Sequence, residues 1–147
     1  MRAEDILRQK DTRIVMIRVG ETVATAVALM TRENVGALLV KEVCRTEGNV
    51  VVGVFSERDV ARALATHGAA ALTMPVSAFI GRTVISCEPR DGIETVLRLM
   101  DENHIRHLPV MEDHTLVGVI SARDLIRHFL QQATPVPQEP AAAVIHA

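Results

Sequence analysis

The sequence predicts a mixed α/β (α+β) fold made of two tandem βαββα units packed face to face about a pseudo-twofold axis. Composition comes first: the 147-residue chain is 48% apolar and only 2% aromatic. Its core must therefore be built from Val, Ile, Leu, Ala and Met, a blend that serves strands and helices alike. The second observation is that the chain repeats itself. The third is size, because a unit of about 60 residues buries little surface alone and gains a shared core by pairing.

The elements follow in order. Glu21 to Met30 aligns with Asp91 to Met100, 70 positions on. In each copy the apolar positions (Val23, Val27, Met30; Ile93, Leu97, Met100) recur at helical spacing, with an acid at the positive end of the helix. The same shift pairs Gly36-Ala37-Leu38-Leu39-Val40 with Arg106-His107-Leu108-Pro109-Val110, which read as short buried strands. Next, Gly53-Val54-Phe55-Ser56-Glu57-Arg58-Asp59-Val60 matches Gly118-Val119-Ile120-Ser121-Ala122-Arg123-Asp124-Leu125, now 65 positions on. The five extra residues of the first copy fit the polar stretch Lys41 to Asn49, where a hairpin loop is expected and insertions cost little. Each copy closes with an apolar helix, Val60 to Ala65 and Leu125 to Leu130. Thr66 to Ala71 reads as a small-residue connector leading through Met74-Pro75 to a strand around Thr83 to Cys87. This divides the chain into a first repeat over 1–67, a second over 68–131 and a flexible Pro/Ala-rich tail over 132–147.

Charge and cysteine content exclude several classes. A net charge of −2 with interspersed acids and bases, and no Trp or Tyr, argues against nucleic-acid binding. No apolar run suits a signal peptide or a membrane span. Cys44 and Cys87 form no paired motif, so two reduced thiols in a cytoplasmic protein are expected. Nucleophile elbows, phosphate loops and marked carboxylate pairs are missing, so no catalytic activity is expected. His104, His107, His114 and His128 lack a ligand spacing, and no metal is expected.

The sharpest local signal is Gly-apolar-apolar-Ser-x-Arg-Asp, present twice. Read structurally, Ser56 with Asp59 and Ser121 with Asp124 are capping pairs at helix starts, worth about 1 kcal/mol each. Read functionally, a helix start with free N–H groups attracts phosphate. Serine can bond a ribose or phosphate oxygen, aspartate can accept both hydroxyls of a ribose, and Arg58 and Arg123 can bind phosphate. The glycine leaves room for a ligand beside the backbone. The two readings are compatible in one residue set.

These paired motifs, with His104-Ile105-Arg106-His107-Leu108-Pro109-Val110 and Val84-Ile85-Ser86-Cys87-Glu88-Pro89, resemble the cystathionine-β-synthase-type (CBS) domain family over about residues 3 to 130. The resemblance implies a tandem pair, a Bateman module, whose inter-repeat clefts bind AMP, ADP, ATP, NAD-type dinucleotides or S-adenosylmethionine, with AMP placed first here. It implies that Asp59 and Asp124 hold ribose hydroxyls and that Ser56 and Ser121 contact ribose or phosphate. Arg58, Arg123, Arg106 and His107 would face the phosphates, and adenine would lie near Val15, Ile17, Thr83 and Ile85. The first copy has Gly36-Ala37 where the second has Arg106-His107, so its cleft is expected to lack phosphate partners and the two clefts to differ in affinity. His107, on a phosphate, would titrate near neutrality.

In such families occupancy is read by a partner protein, here an unknown target. With about 16 residues after the second repeat, a free-standing sensor is expected rather than an appendage of an enzyme. The alternative is a ligand-free interaction scaffold. A homodimer is expected, joined through the apolar faces of the helices opened by Val23 and Ile93.

Overall fold

The computed structural model describes residues 1–10, 14–44, 46, 48–81 and 84–133. The first half contains α1 (Ala3–Arg8), β1 (Met16–Arg18), α2 (Val23–Glu33), β2 (Ala37–Cys44), β3 (Gly48–Ser56) and α3 (Glu57–His67). Two short 3-10 turns, Gly68–Thr73 and Val76–Ala78, lead to α4 (Ile93–Asn103), β4 (His107–Glu112), β5 (Thr115–Ser121) and α5 (Ala122–Gln132). The expected connector is therefore structured: α3 runs on through His67 into the first 3-10 turn. The closing helix reaches Gln132, and residues 134–147 of the expected tail lie outside the described residues.

Local chemistry sets the helix ends. The Thr22 hydroxyl accepts from Thr25 N–H at 3.2 Å and starts α2. α2 and α4 both stop on a left-handed residue, Asn34 and His104, each with φ 53°. α3 and α5 both open on capping boxes, Ser56 with Asp59 and Ser121 with Asp124. The long-range symmetry predicted from the repeat is thus repeated at the level of individual caps.

The sheets are less alike. β1 pairs in parallel with β2, and β2 pairs antiparallel with β3, in register Leu38 to Phe55 and Ala37 to Ser56. β4 and β5 form the matching hairpin, His107 opposite Ser121. The five extra residues do not sit in a loop alone. β2 and β3 have 8 and 9 residues against 6 and 7 in β4 and β5, so most of the insertion lengthens the hairpin arms. Among the described residues, the expected second opening strand forms one parallel bridge, Cys87 with Val110. Cys87 N–H donates to Pro109 O at 3.0 Å and its carbonyl accepts from Met111 at 2.8 Å. Two residues later the ladder ends for a clear reason. Val19 donates to Lys41 O at 2.9 Å in the first half, whereas Pro89, its counterpart, has no N–H to give.

Two cores result, and the halves exchange their leading segments to complete them. Ile17, Val23, Ala26, Met30, Leu38, Val40 and Phe55 form the first core together with Val76, from beyond the connector. The second core holds Ile93, Val96, Met100, Leu108, Val110, Ile120 and Leu125, and it also takes in Ala3, Ile6 and Leu7 from the chain's start. Backbone bonds fix both exchanges: Ala3 N–H donates to Asp91 O and Val76 N–H to Glu21 O, each at 2.8 Å. α1 was not anticipated from the sequence. The repeat glycines serve this exchange. A Cβ on Gly118 would come within 2.7 Å of Leu7, and one on Gly53 within 3.2 Å of Ile80. The room beside Gly118 is filled by Leu7 of the other half, while Gly53 packs against Ile80 and still borders open space between the halves.

Of the α2 and α4 stripes that begin at Val23 and Ile93, Val23, Met30, Ile93 and Met100 are buried in these cores, while Leu97 of α4 is 39% exposed. Further exposed apolar side chains lie on α5, where Ile126 and Leu130 are 60% and 70% exposed and Phe129 is half exposed. Among the described residues no helix is long and apolar enough to cross a membrane.

Candidate functional site: two clefts between the halves

Because each half lends its leading segment to the other, two clefts open where the hairpins and helix starts of opposite halves face each other. The larger, about 1010 Å³, sets Lys10, Ile14 and Val15 of the first half against Ser121, Arg123 and Asp124 of the second. The smaller, about 880 Å³, sets Ser56, Arg58 and Asp59 of the first half against Val84 and Ile85 of the second. Gly36, Glu57, Arg106 and His107 lie between them and line both.

Most of the residues singled out in the sequence therefore come together, divided between two places. Ser56, Arg58, Asp59 and Ile85 share the smaller cleft; Val15, Ser121, Arg123 and Asp124 share the larger. Ile17 lines neither. It points into the first core and is buried there, because strand alternation sends it to the face opposite its neighbours. Thr83 lies outside the described residues. Arg106 and His107 serve both clefts, so the expectation that Gly36-Ala37 would deprive one cleft of phosphate partners is corrected. The chain brings both residues to the junction of the halves, where each faces both ways.

The helix starts are less open than the motif suggested. Ser56 N–H donates to Asp59 Oδ2 at 2.8 Å, the Ser56 hydroxyl donates to the same oxygen at 3.0 Å, and Glu57 N–H donates to Gly36 O at 3.0 Å. At the other helix, Ser121 N–H donates to Asp124 Oδ2 at 2.8 Å and Ala122 N–H donates to Arg106 O at 2.7 Å. Asp59 and Asp124 N–H groups are taken by the serine hydroxyls at 3.4 and 3.1 Å. Few first-turn donors are left, so an anion here would be held mainly by side chains. Asp59 lines the smaller cleft and Asp124 the larger.

Lys10 was missed by the sequence reading. Its ammonium donates to Asp124 Oδ2 at 2.6 Å and to Val119 O at 2.8 Å, spanning more than a hundred residues of chain. Among the described residues no cation pairs with Asp59. Arg58 instead crosses the smaller cleft and donates to the carbonyl of His104, the left-handed residue that ends α4, at 2.9 Å. Burial pushes the Asp124 carboxyl up, but the Lys10 hydrogen bond, the Ser121 bonds and the Lys10 charge outweigh it, so the group sits below the ordinary 3.8. His107 sits below its ordinary 6.5, first through burial and then through the Lys10 charge, with Asp124 and Glu57 opposing. The titration expected near neutrality is therefore displaced toward lower pH by the surrounding protein.

Among the described residues no group of three or more His, Cys, Asp or Glu could hold a metal ion. Cys87 is a buried thiol pushed up to about 12, by burial first and then by Asp91 and Glu88, which leaves it inert at neutral pH.

The CBS-domain model matches this chain twice, over residues 3–66 and 76–131. The chain belongs to the CBS-domain family. As a CBS pair it is 33% identical over 114 residues to the mitochondrial CBS domain-containing protein CBSX3 of Arabidopsis thaliana, covering 76% of this chain and 54% of that protein. It is 31% identical over 114 residues to CBS domain-containing protein YhcV of Bacillus subtilis, covering 78% of this chain and 77% of that one. Among solved structures, the CBS-domain protein ATU1752 of Agrobacterium tumefaciens is 29% identical with a TM-score of 0.79, over 86% of this chain and 91% of that one. The hexameric CBS-CP12 protein of bloom-forming cyanobacteria is 28% identical with a TM-score of 0.75, over 92% and 76%. The CBS pair of MJ0100, in complex with 5′-methylthioadenosine and S-adenosyl-L-methionine, has a TM-score of 0.75 over 90% and 98%; at 20% identity the likeness is one of fold.

Proposed function

We propose that the chain is a non-catalytic regulatory module that binds adenine ribonucleotides, AMP foremost, in the clefts between its CBS repeats. One observation carries this reading: each Ser-x-x-Asp helix start faces the opening segment of the opposite repeat across a cleft of about 1010 or 880 Å³. The carboxylates of Asp59 and Asp124 suit the paired hydroxyls of a ribose, and Ser56 and Ser121 adjoin them. Val15 on one side and Ile85 on the other offer aliphatic surface for a base. Arg106, Arg58 and Arg123 supply charge for phosphate. ADP, ATP, NAD and S-adenosylmethionine are the other members of this class, and MJ0100 makes adenosyl ligands the first to try.

Occupancy would then be relayed by a change in how the repeats close on each other, which needs the ligand to favour one closure. Arg58, bonded across the smaller cleft, is the contact a phosphate would compete for. The target is a separate protein, and a cytoplasmic setting accords with a buried, unpaired Cys87. Self-association into a homodimer is assigned to exposed apolar side chains of α4 and α5, Leu97, Ile126 and Leu130. Light scattering tests it: Ile126→Glu and Leu130→Glu should give monomers, and a wild-type chain that stays monomeric at high concentration would refute it.

Thermal unfolding with AMP, ADP, ATP, NAD and S-adenosylmethionine tests the ligand class. Stabilisation by an adenosyl compound that Asp59→Asn and Asp124→Asn together abolish supports the reading. A flat response to all of them overturns it in favour of an interaction scaffold.

A further inference from the structure

We propose that Lys10 sets the ligand class of the larger cleft, holding Asp124 while the cleft is empty and releasing it to adenine ribonucleotides that bear a phosphate. The inference rests on the reading of the clefts as nucleotide sites and adds which nucleotides one of them accepts.

The geometry begins with the exchanged segment. α1 is anchored in the second core through Ala3, Ile6 and Leu7, which delivers the chain just beyond it to the mouth of the larger cleft. There the Lys10 ammonium is fixed by two acceptors, Asp124 Oδ2 at 2.6 Å and Val119 O at 2.8 Å. The pair is sheltered, with the two side chains only 25% and 12% exposed. Asp124 is the carboxylate that a ribose would need.

A ribose can use Asp124 fully only by loosening Lys10. If nothing replaces the carboxylate, a sheltered ammonium keeps a single carbonyl partner, and leaving a partly buried charge short of partners is costly. A phosphate on the same ligand supplies the missing anion. Arg106 and Arg123 line the same cleft, so that anion meets further positive charge there. A neutral nucleoside brings no such replacement, and a sulfonium-bearing ligand adds a like charge. The larger cleft therefore discriminates by the charge carried at the 5′ position, with Lys10 as the specificity-determining residue.

The position is also distinctive in the sequence. Leu7 and Ile80 play matching parts beside Gly118 and Gly53, and Val15 and Ile85 play matching parts in the two clefts. The chain from Leu7 to Val15 is three residues longer than that from Ile80 to Ile85, and Lys10 falls in the longer stretch.

Titration calorimetry on the full chain, with Asp59→Asn weakening the smaller cleft, tests the proposal using adenosine, 5′-methylthioadenosine, AMP and ADP as probes. AMP and ADP should bind at least about tenfold tighter than the two uncharged nucleosides, the scale of one charge-assisted hydrogen bond. Lys10→Met should collapse that ratio by tightening adenosine and weakening AMP, and Lys10→Arg should largely restore it. A ratio is unaffected by general loosening of the fold, so it separates discrimination from tethering. If Lys10→Met changes all four affinities by the same factor, or leaves the ratio intact, the proposal fails while the nucleotide reading stands. If none of the four binds the unmutated chain, the nucleotide reading falls, and the proposal with it.

Discussion

The two clefts are built from matching parts yet arrive in different electrostatic states. In the smaller, Ser56 is the partner of Asp59 among the described residues, and Arg58 reaches past it to the backbone of the opposite half. In the larger, Asp124 carries the same serine bond and a lysine as well, while its arginine, Arg123, makes no such crossing among the described residues. A repeated motif thus fixes where a helix starts and where its aspartate points. What that aspartate can do is decided by a side chain from elsewhere in the chain.

The largest effect that could break this comparison lies in binding. Asp59→Asn should weaken adenine ribonucleotide binding to the smaller cleft by at least about tenfold, since hydrogen bonds to a charged group are worth about 1.5–3 kcal/mol. Asp124→Asn should cost the larger cleft less, because there the native carboxylate must first give up part of its bond to Lys10. Calorimetric titration of the two variants measures both, and equal losses would erase the distinction.

Next in size is packing. Gly118→Ala should destabilise by about 1–3 kcal/mol, because a methyl group there meets Leu7 inside a filled core. Gly53→Ala meets Ile80 at a longer 3.2 Å and should cost less. Urea unfolding of the two variants orders them, and the reverse order would mean that the exchanged segments are held differently. Smaller still, Ser56→Ala and Ser121→Ala should each lose about 1 kcal/mol of cap stability. Both hydroxyls engage the aspartate of their own cap, so the two losses should be similar in the same unfolding measurement.

Dependence on pH sharpens the contrast most finely. Asp124 is held below 3.8, so its contribution is present above that value and is lost as pH falls through the folded value. Lys10→Met should flatten that part of the acid limb in unfolding titrations. His107 is held below 6.5, so the unfolded chain takes up a proton first as pH falls, and stability declines from 6.5 downward. A phosphate beside His107 would raise it again. AMP binding near pH 6 should therefore take up protons and adenosine binding should not, a difference visible as a buffer-dependent binding enthalpy.

The sequence and the structure agree where the determinants are local or repeated. Ser56, Asp59, Ser121 and Asp124 were legible because a capping pattern recurs at a fixed spacing, and the paired clefts followed from the repeat itself. The exceptions each have a long-range cause. α1 is too short to show a clear apolar period, and its partners lie about ninety residues away, so neither the exchange nor Lys10 could be read locally. The cost of Pro89 to the second opening strand is visible only once Val19 is seen to donate at the matching place. Ile17 was misplaced because adjoining strand residues face opposite ways, and a one-position difference separates the cleft from the core. The exposed side chains of α5 drew no notice because the apolar stripes of α2 and α4 are the stronger helical signals, although most of those stripes pack inward and Leu97 alone of the named α4 positions stays exposed.

A crystal structure of the chain grown with AMP tests the central claim most directly. The ribose hydroxyls should lie within hydrogen-bonding distance of the Asp59 carboxylate, with the base against Ile85 and the phosphate among the arginines. AMP bound away from both clefts, or clefts left empty at saturating AMP, would contradict it.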